Sequence, residues 1–565
     1  MEPLDMITVT HVYLALMRYI GPVLVLLVLL RCVLPLLTFR REPEIWAWLV
    51  TEEGKRLPIT HWENVIGRSK RCDVVLEDPA VSRNHAVLTR YDDGSWTISD
   101  ADSKNGITVN HEIQDIREVV EGDLIGIGEA LLRFLPVTRE QEQTLASLRT
   151  RAAGVWGSFF TLLLLTLFQL FTCLGFVLSR PEAAQNAVVG FGGIAVLQWL
   201  LLIFNYAIRR PAFEVETLAF LLCSLGMSVI CTVTAREAGK QLMAIALGMI
   251  AFLTTGWSLR DLQRAKRIRY GAAVVGMALL IVTLLFGEEY YGAKNWLNIG
   301  GLSVQPSEFT KLCFVFVGAS TMDRLMHKRN LILFIAYTVA LCGFLALMND
   351  FGTALVFFTA FLIIAYLRSG SFGTVALACT SLGFAGVIGL KIAPHALRRI
   401  TAWRHIWEDP LGAGYQQTQA LMGIASGGLF GLGIGQGKLR KLFAADSDMV
   451  FATVSEEWGL VMAVISVLAV VALGLFVLRC CKVSRSSFYT IGSCTAAAIL
   501  LVQTVFNVLG TLDVLPLTGV TFPFLSNGGS SMISVWGLLA FIKAADTRAN
   551  GSFAVRLHRK GRNHA

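Results

Sequence analysis

Charged residues are scarce in this sequence. Asp, Glu, Lys and Arg make up 16% of its 565 residues, against roughly 25% in an ordinary soluble domain. Hydrophobic residues make up 54% of the chain. This balance excludes a single soluble domain and predicts a polytopic α-helical membrane protein.

Cysteine is nearly missing from the stretches that connect the apolar segments. Most of the 11 cysteines lie inside those segments, as Cys223 and Cys342 do, so no disulfide framework is indicated. The first apolar segment, residues 13–39, also has no small-residue cleavage site after it. This excludes a signal peptide and predicts a retained membrane span.

Acidic residues are outnumbered by basic ones, and the formal net charge is +9. The basic residues cluster in short loops beside the apolar segments, which is typical of cytoplasmic membrane loops. This placement argues against nucleic acid as a partner and for contact with membrane lipids.

The apolar segments predict about thirteen membrane helices of about 20 residues each. The predicted spans are residues 13–39, 153–178, 186–207, 213–232, 240–257, 269–286, 306–323, 330–348, 351–367, 372–391, 451–478, 487–511 and 529–545. Every second connecting loop is basic, so we expect residues 42–137 and the C-terminus in the cytoplasm. The same bias places the loop near Gly292, the loop 393–449 and the loop 511–527 outside.

Residues 42–137 interrupt this pattern. Short alternating or β-branched runs are separated there by Asp, Gly, Asn and Ser, which predicts an inserted all-β sandwich. Within it, IGRSKRCDVVLEDPAVSRNHAVL and DADSKNGITVN resemble a forkhead-associated (FHA) domain over nearly its whole length.

The FHA resemblance implies that this sandwich binds phosphothreonine. The residues that would contact the phosphopeptide are Arg68, Ser82, Arg83 and Asn105. Guanidinium, hydroxyl and amide groups form charge-assisted hydrogen bonds to phosphate oxygens. Lys104 stands where Thr or Ser is common, which leaves the peptide selectivity open. A sandwich that has lost its ligand is the alternative.

The stretch 393–449 is long, yet it neither spans the membrane nor has the composition of a disordered segment. Its arginines carry fixed positive charge that suits a phosphate-bearing ligand, although a basic helix facing lipid headgroups is an alternative. Its glycines, between Gly427 and Gly435, allow a close backbone approach. Acidic side chains follow at Asp446 and Asp448, and Glu456 and Glu457 lie just inside the next apolar segment.

Four ordered blocks over about the last two-thirds of the chain carry a second resemblance. They are GAKNWLNIGGLSVQPSEFTKL, NDFGTALVF, the long stretch from GYQQTQALMG to VSEEWGL, and PLTGVTFPFLSNGGSSMIS. These blocks resemble the SEDS family of membrane glycosyltransferases, of the FtsW/RodA/SpoVE type. The resemblance implies a core of about ten helices that begins near Pro211. The three spans before that residue would be additions.

The SEDS resemblance implies that Asp448 is the catalytic general base. Asp446 competes for this role, because the residues before it depart from the family pattern. The further residues assigned to substrate binding are Lys294, Trp296, Glu308, Lys311, Asp350, Arg398, Arg399, Arg404, Gln416, Glu456 and Ser530.

Several of these residues have a structural alternative. Glu308 and Lys311 lie three residues apart and are equally explained as a buried ion pair. Trp296 is equally explained as an interfacial anchor, and Asp350 as a helix cap. Ser530 belongs to a run that also fits a plain helix start, and no His is nearby, which disfavours a serine hydrolase.

The resulting hypothesis is a peptidoglycan glycosyltransferase that polymerises lipid II, with a role in division, elongation or sporulation left open. A flippase for the same precursor and an inactive scaffold that reads phosphorylation are the alternatives. The implied partners are a class B penicillin-binding protein and a phosphothreonine protein made by a Ser/Thr kinase. No metal site is assigned, and a divalent cation is the single candidate cofactor.

The domain boundaries follow from these patterns. We expect an N-terminal membrane helix (1–41), the FHA domain (42–137), a linker (138–152), two additional membrane helices (153–210), the SEDS core (211–548) and a basic tail (549–565).

The predicted topology can be tested by labelling. A cysteine introduced at Gly412 should react with a membrane-impermeant thiol reagent in intact cells, whereas one introduced at Ser95 should not, because the charge bias places these positions on opposite sides. The reverse labelling pattern would contradict the topology.

Overall fold

The computed structural model describes residues 3–39, 44–70, 72–91, 94–138, 141, 154–290, 293–300, 302–322, 328–369, 372–373, 375–380, 383, 394–484, 486–548 and 551–552. Its first element is a helix, α1 (Pro3–Thr38), of 36 residues. At 1.5 Å per residue it is about 54 Å long, which exceeds the roughly 30 Å of a hydrocarbon core.

A two-sheet β sandwich follows, as the sequence predicts. One sheet has the strand order β2-β1-β11-β10-β7-β8 and the other β4-β3-β5-β6-β9. The strands are β1 Ala47–Thr51, β2 Arg56–Ile59, β3 Glu63–Gly67, β4 Val74–Val75, β5 Ala86–Arg90, β6 Trp96–Asp100, β7 Ile107–Val109, β8 Glu112–Gln114, β9 Ile116–Val119, β10 Leu124–Ile127 and β11 Ala130–Pro136. Alternate residues of the central strands are buried, which gives the sandwich its own core.

The rest of the described chain is a helical bundle. Its helices are α2 Val155–Ser179, α3 Pro181–Ala207, α4 Glu214–Val233, α5 Ala238–Leu259, α6 Leu262–Phe286, α7 Pro306–Met322, α8 Lys328–Leu347, α9 Phe351–Ser369, α10 Pro394–Ala402, α11 Tyr415–Gly427, α12 Val450–Trp458, α13 Leu460–Cys481, α14 Ser487–Thr511 and α15 Gly529–Ala544. Counting α1, eight helices of the described chain are long and apolar enough to cross a membrane, and three shorter ones are apolar. Nearly every residue of α4 is buried, so this helix forms the centre of the bundle.

The structure differs from the prediction in one span and in one loop. The span predicted over 451–478 is divided at Gly459, where φ is 87°, into α12 and α13. The predicted loop near Gly292 contains a three-stranded sheet, β12 Glu288–Tyr290, β13 Ala293–Ile299 and β14 Leu302–Val304. Most of the predicted span 372–391 lies outside the described residues.

The sandwich packs on one end of the bundle, where α13 ends and α14 begins. The ring of Trp62 lies 6.0 Å from that of Tyr489 in an edge-to-face arrangement. Beside it, the buried Glu63 carboxylate accepts hydrogen bonds from Ser486 Oγ, at 3.3 Å, and from Ser487 Oγ. The sandwich is therefore joined to the bundle by apolar and polar contacts.

Candidate functional site

A large cavity lies between the membrane helices and the long loop, which is here the described stretch 394–449. This site cavity has a volume of about 1490 Å³. Its polar and aromatic lining includes Asn295, Trp296, Gln305, Asp350, Arg399, Asp446, Asp448, Asn527 and Ser530, and its apolar lining includes Ile335, Val339, Phe358, Phe361 and Leu377. Such a cavity suits a ligand that has a polar head and an apolar tail.

Asp448 faces a basic group in this cavity. A methyl group placed on Gly519 would lie 3.5 Å from Asp448 Oδ2 and 3.7 Å from Arg399 Nη1, so both groups approach the same point. Burial raises the pKa of Asp448 to about 6, the charge of Arg399 lowers it, and the Asp446 carboxylate raises it. The Asp448 backbone oxygen accepts a hydrogen bond from Asn507 Nδ2, at 2.9 Å. Since no described residue donates to its carboxylate, the carboxylate is free to accept a proton from a ligand.

Asp446 is instead occupied by neutral donors. Its Oδ2 accepts hydrogen bonds from Thr234 Oγ1, at 2.6 Å, and from Asn527 Nδ2, at 2.9 Å. Its backbone oxygen accepts a further bond from Asn527 N, at 2.7 Å. Asp446 thus connects the end of α4 to the start of α15, and this geometry favours Asp448 over Asp446 as a base.

Asp350 both caps a helix and lines the cavity. Its Oδ1 accepts a hydrogen bond from Thr353 N, at 3.1 Å, in the first turn of α9. Its Oδ2 accepts from Asn295 Nδ2, at 3.1 Å, and from Gln305 Nε2, at 3.3 Å. The backbone N–H of Gln305 donates in turn to Ser530 Oγ, at 2.9 Å. These bonds fix one polar wall of the cavity.

Other residues predicted to bind substrate lie away from the cavity lining. Glu308 and Lys311 form a buried ion pair with an N–O distance of 2.6 Å, as their structural alternative requires. The Lys294 ammonium donates to the backbone oxygen of Leu284, at 2.8 Å. The ion pair is buried in the helical core, and the half-buried Lys294 lies at the edge of that core.

Three further predictions fall on the long loop and the helix that follows it. Arg404 is exposed, and Gln416 is half-buried on α11. The buried Glu456 accepts hydrogen bonds from Lys438 N and Leu439 N, at 2.9 Å each. Its contacts support the loop backbone. The side chain of Arg398 lies outside the described residues.

Sequence reasoning missed several residues that build the cavity. Asn295, Gln305 and Gly519 lie inside the blocks that resemble the SEDS family, so each could have been proposed as a site residue. Thr234 and Asn507 lie in apolar helix ends, and their local sequence gives no sign of their contacts with the loop.

The phosphothreonine candidates of the sandwich lie together on neighbouring loops. Ser82 Oγ accepts a hydrogen bond from Lys104 N, at 3.1 Å, so its own proton remains available for a phosphate. Arg68 N donates to Ser82 O, at 3.0 Å, and the side chains of Arg68 and Arg83 are exposed. Asn105 Nδ2 donates to Ala80 O, at 2.8 Å. Exposed cationic and hydroxyl groups are therefore brought into one region.

Buried contacts hold these loops in place. His85 accepts a bond from Ser82 N at Nδ1, at 3.0 Å, and its Nε2 lies 2.8 Å from Gly106 O. A methyl group on Gly67 would lie 2.4 Å from Arg83 O, which explains the need for glycine there.

Glu63 and Gly67 are the first and last residues of β3, so the contact with the bundle and the phosphate region lie at opposite ends of one strand.

The described residues contain no group of three or more His, Cys, Asp or Glu side chains arranged to hold a metal ion.

The fold and the site cavity define a multi-pass membrane protein that carries a β sandwich on one end of its bundle. Residues 217–551 match the model of the FtsW/RodA/SpoVE family, described as a cell cycle protein, and residues 64–128 match the FHA domain. The chain belongs to the FtsW/RodA/SpoVE family and contains an FHA domain.

Similar proteins carry related names. The chain is 30% identical over 325 residues to the peptidoglycan glycosyltransferase RodA of Mycobacterium tuberculosis H37Rv, which covers 54% of this chain and 69% of that relative. It is 30% identical over 359 residues to the probable peptidoglycan glycosyltransferase FtsW of Tolumonas auensis, which covers 60% of this chain and 93% of that relative. A solved structure of a peptidoglycan synthase complex matches 58% of this chain and 96% of its own, with 24% identity and a TM-score of 0.49.

Proposed function

We propose that this protein is a peptidoglycan glycosyltransferase that polymerises lipid II at the outer face of the membrane. The observation that carries the proposal is the carboxylate of Asp448, which accepts no hydrogen bond from any described residue and lies near Arg399 in a cavity lined by both polar and apolar side chains. Lipid II combines a sugar diphosphate with a long apolar tail, and the cavity lining offers polar side chains for the first and apolar side chains for the second. Membership of the FtsW/RodA/SpoVE family and the names of the relatives support the same reaction.

In this proposal Asp448 is the general base. The 4-hydroxyl of the acceptor sugar attacks the anomeric carbon of the diphosphate-linked sugar with inversion. The new carbon–oxygen bond forms as the bond to the diphosphate oxygen breaks, and the hydroxyl proton passes to Asp448. The leaving diphosphate takes the electron pair, and the positive charge of Arg399 stabilises it.

The proposal also assigns sides and partners. The long loop faces outward, and the FHA domain and C-terminus face the cytoplasm, where a Ser/Thr kinase can modify the protein that the FHA domain binds. A class B penicillin-binding protein is the expected transpeptidase partner, because family membership implies one.

Asp448→Asn should lower the polymerisation rate about 100-fold to 10,000-fold, since the amide keeps the size of the side chain but accepts no proton. Asp446→Asn is the matched control, and we expect a much smaller loss because Asp446 is bonded to Thr234 and Asn527. The measurement is glycan length and rate with purified protein and lipid II, with and without the transpeptidase. Near-normal glycan synthesis by Asp448→Asn would refute the assigned base, and lipid transport without polymer in the wild type would favour a flippase.

The rate should depend on pH through Asp448. Burial raises the pKa of Asp448 to about 6, so the ionised base is lost as the pH falls through that value. Below it, we expect kcat to fall about tenfold per pH unit, and above it to level off. Measuring kcat between about pH 4.5 and 8 tests this, and Asp448→Asn should lose this limb of the profile. A flat profile in the wild type would count against Asp448.

Arg68→Ala should weaken phosphothreonine binding by roughly tenfold to a hundredfold, the effect of losing one charge-assisted hydrogen bond. Arg133→Ala, which removes an exposed arginine from the opposite sheet, should bind as the wild type does. The full-length protein would be titrated with a degenerate phosphothreonine peptide library and with its unphosphorylated counterpart. Wild-type protein that binds no member of the library would refute this part of the proposal.

A further inference from the structure

The turn between α2 and α3 lies outside the segment that matches the family, yet it contacts the long loop. Arg180, in this turn, packs so closely against Gly435 that a methyl group there would lie 2.8 Å from Arg180 Cδ. One turn earlier, a methyl group on Gly175 would lie 2.8 Å from Ile434 Cδ1. The added helices therefore support the loop segment around Ile434 and Gly435.

The head group of Arg180 reaches the last turn of the central helix α4. Its Nη1 donates to the backbone oxygen of Thr232, at 2.6 Å, and its Nε donates to Glu182 Oε1, at 3.0 Å. The last carbonyl groups of a helix have no partner within the helix, and a cation is favourable beside them. The Arg180 side chain is 16% exposed, whereas that of Glu182 is 66% exposed. The bond to Thr232 is thus the more protected of the two.

The end of α4 that Arg180 binds holds two acidic residues of the site region. Thr232 Oγ1 donates to Glu457 Oε2, at 3.0 Å, and Glu457 Oε1 accepts from Gly437 N, at 3.4 Å. Two residues further along the chain, Thr234 Oγ1 donates to Asp446 Oδ2, at 2.6 Å. These contacts lie on both sides of the loop segment that leads to Asp448.

We propose that Arg180 is a positioning residue for the long loop. By binding the Thr232 carbonyl and packing on Gly435, it fixes the end of α4, and with it the loop backbone that carries Asp448. This inference rests on the proposed function for its catalytic consequence. It gives the helices outside the family segment a role, which is to hold the loop in its catalytic arrangement.

The effect should appear in kcat, because a small displacement of a base costs rate without removing substrate contacts. Arg180→Ala should lower kcat about tenfold to a hundredfold and change KM for lipid II by less than about twofold. Arg180→Lys should restore most of the rate, since an ammonium can also donate to the Thr232 carbonyl. Glu182→Gln, at the exposed partner, should behave as the wild type does.

A second measurement needs no catalysis. Hydrogen exchange of the full-length protein without substrate would follow the peptides covering residues 433–448, with α14 as an internal reference. Arg180→Ala should speed exchange at Gly437, Lys438 and Leu439 and leave α14 unchanged, and Arg180→Lys should reverse this. Unchanged loop exchange in Arg180→Ala, or equal loosening of the loop and α14, would overturn the proposal. If the wild type makes no glycan from lipid II, the proposed function fails, while the exchange comparison still decides the role of Arg180.

Discussion

Hydrogen bonds to two buried carboxylates hold the long loop against the membrane helices. Glu456 accepts two bonds from the loop backbone, and Glu457 accepts one from the loop and one from Thr232 at the end of α4. A buried carboxyl group without partners is costly, and a buried backbone N–H without an acceptor is costly too. Each of these hydrogen bonds therefore satisfies a glutamate oxygen and a loop backbone N–H at the same time. The stretch between these contacts contains Asp446 and Asp448, so the site depends on the hydrogen bonds to Glu456 and Glu457.

This arrangement requires backbone segments to approach closer than a side chain would allow. A methyl group on Gly427 would lie 2.1 Å from Ser455 O, and one on Gly431 would lie 2.1 Å from Glu457 O. Gly431 and Gly459 also have φ values of 80° and 87°, which favour glycine. The glycines let the chain pass the break between α12 and α13. Because the helix breaks there, the backbone oxygen of Glu457 can bond to the loop. It accepts a hydrogen bond from Gly433 N, at 3.0 Å.

The membrane helices and the sandwich could be predicted because hydrophobic length and β periodicity are local properties of a sequence; the predicted span 487–511 coincides with α14. The break at Gly459 could not, since a glycine between apolar residues hardly changes the hydropathy of a window. The hydrogen-bond partners of Asp446 are still harder to predict from the sequence, because Thr234 and Asn527 lie 212 and 81 residues away from it. The choice of Asp448 as base came from family resemblance. The structure adds a physical reason, which is that no donor in the described part of the chain bonds to its carboxylate.

The helix α14 joins the two functional regions. Near its start, Ser487 donates to Glu63 of the sandwich, and near its end, Asn507 donates to the backbone oxygen of Asp448. A helix of this length spans about 37 Å, roughly the thickness of the membrane. Ser487 is half-buried, whereas Asn507 is buried and its amide also donates to Val520 O. A phosphopeptide can influence catalysis only by binding two arrangements unequally. The Ser487 contact at the sandwich is the more exposed of the two, and it is the one at which the proposed regulation would act.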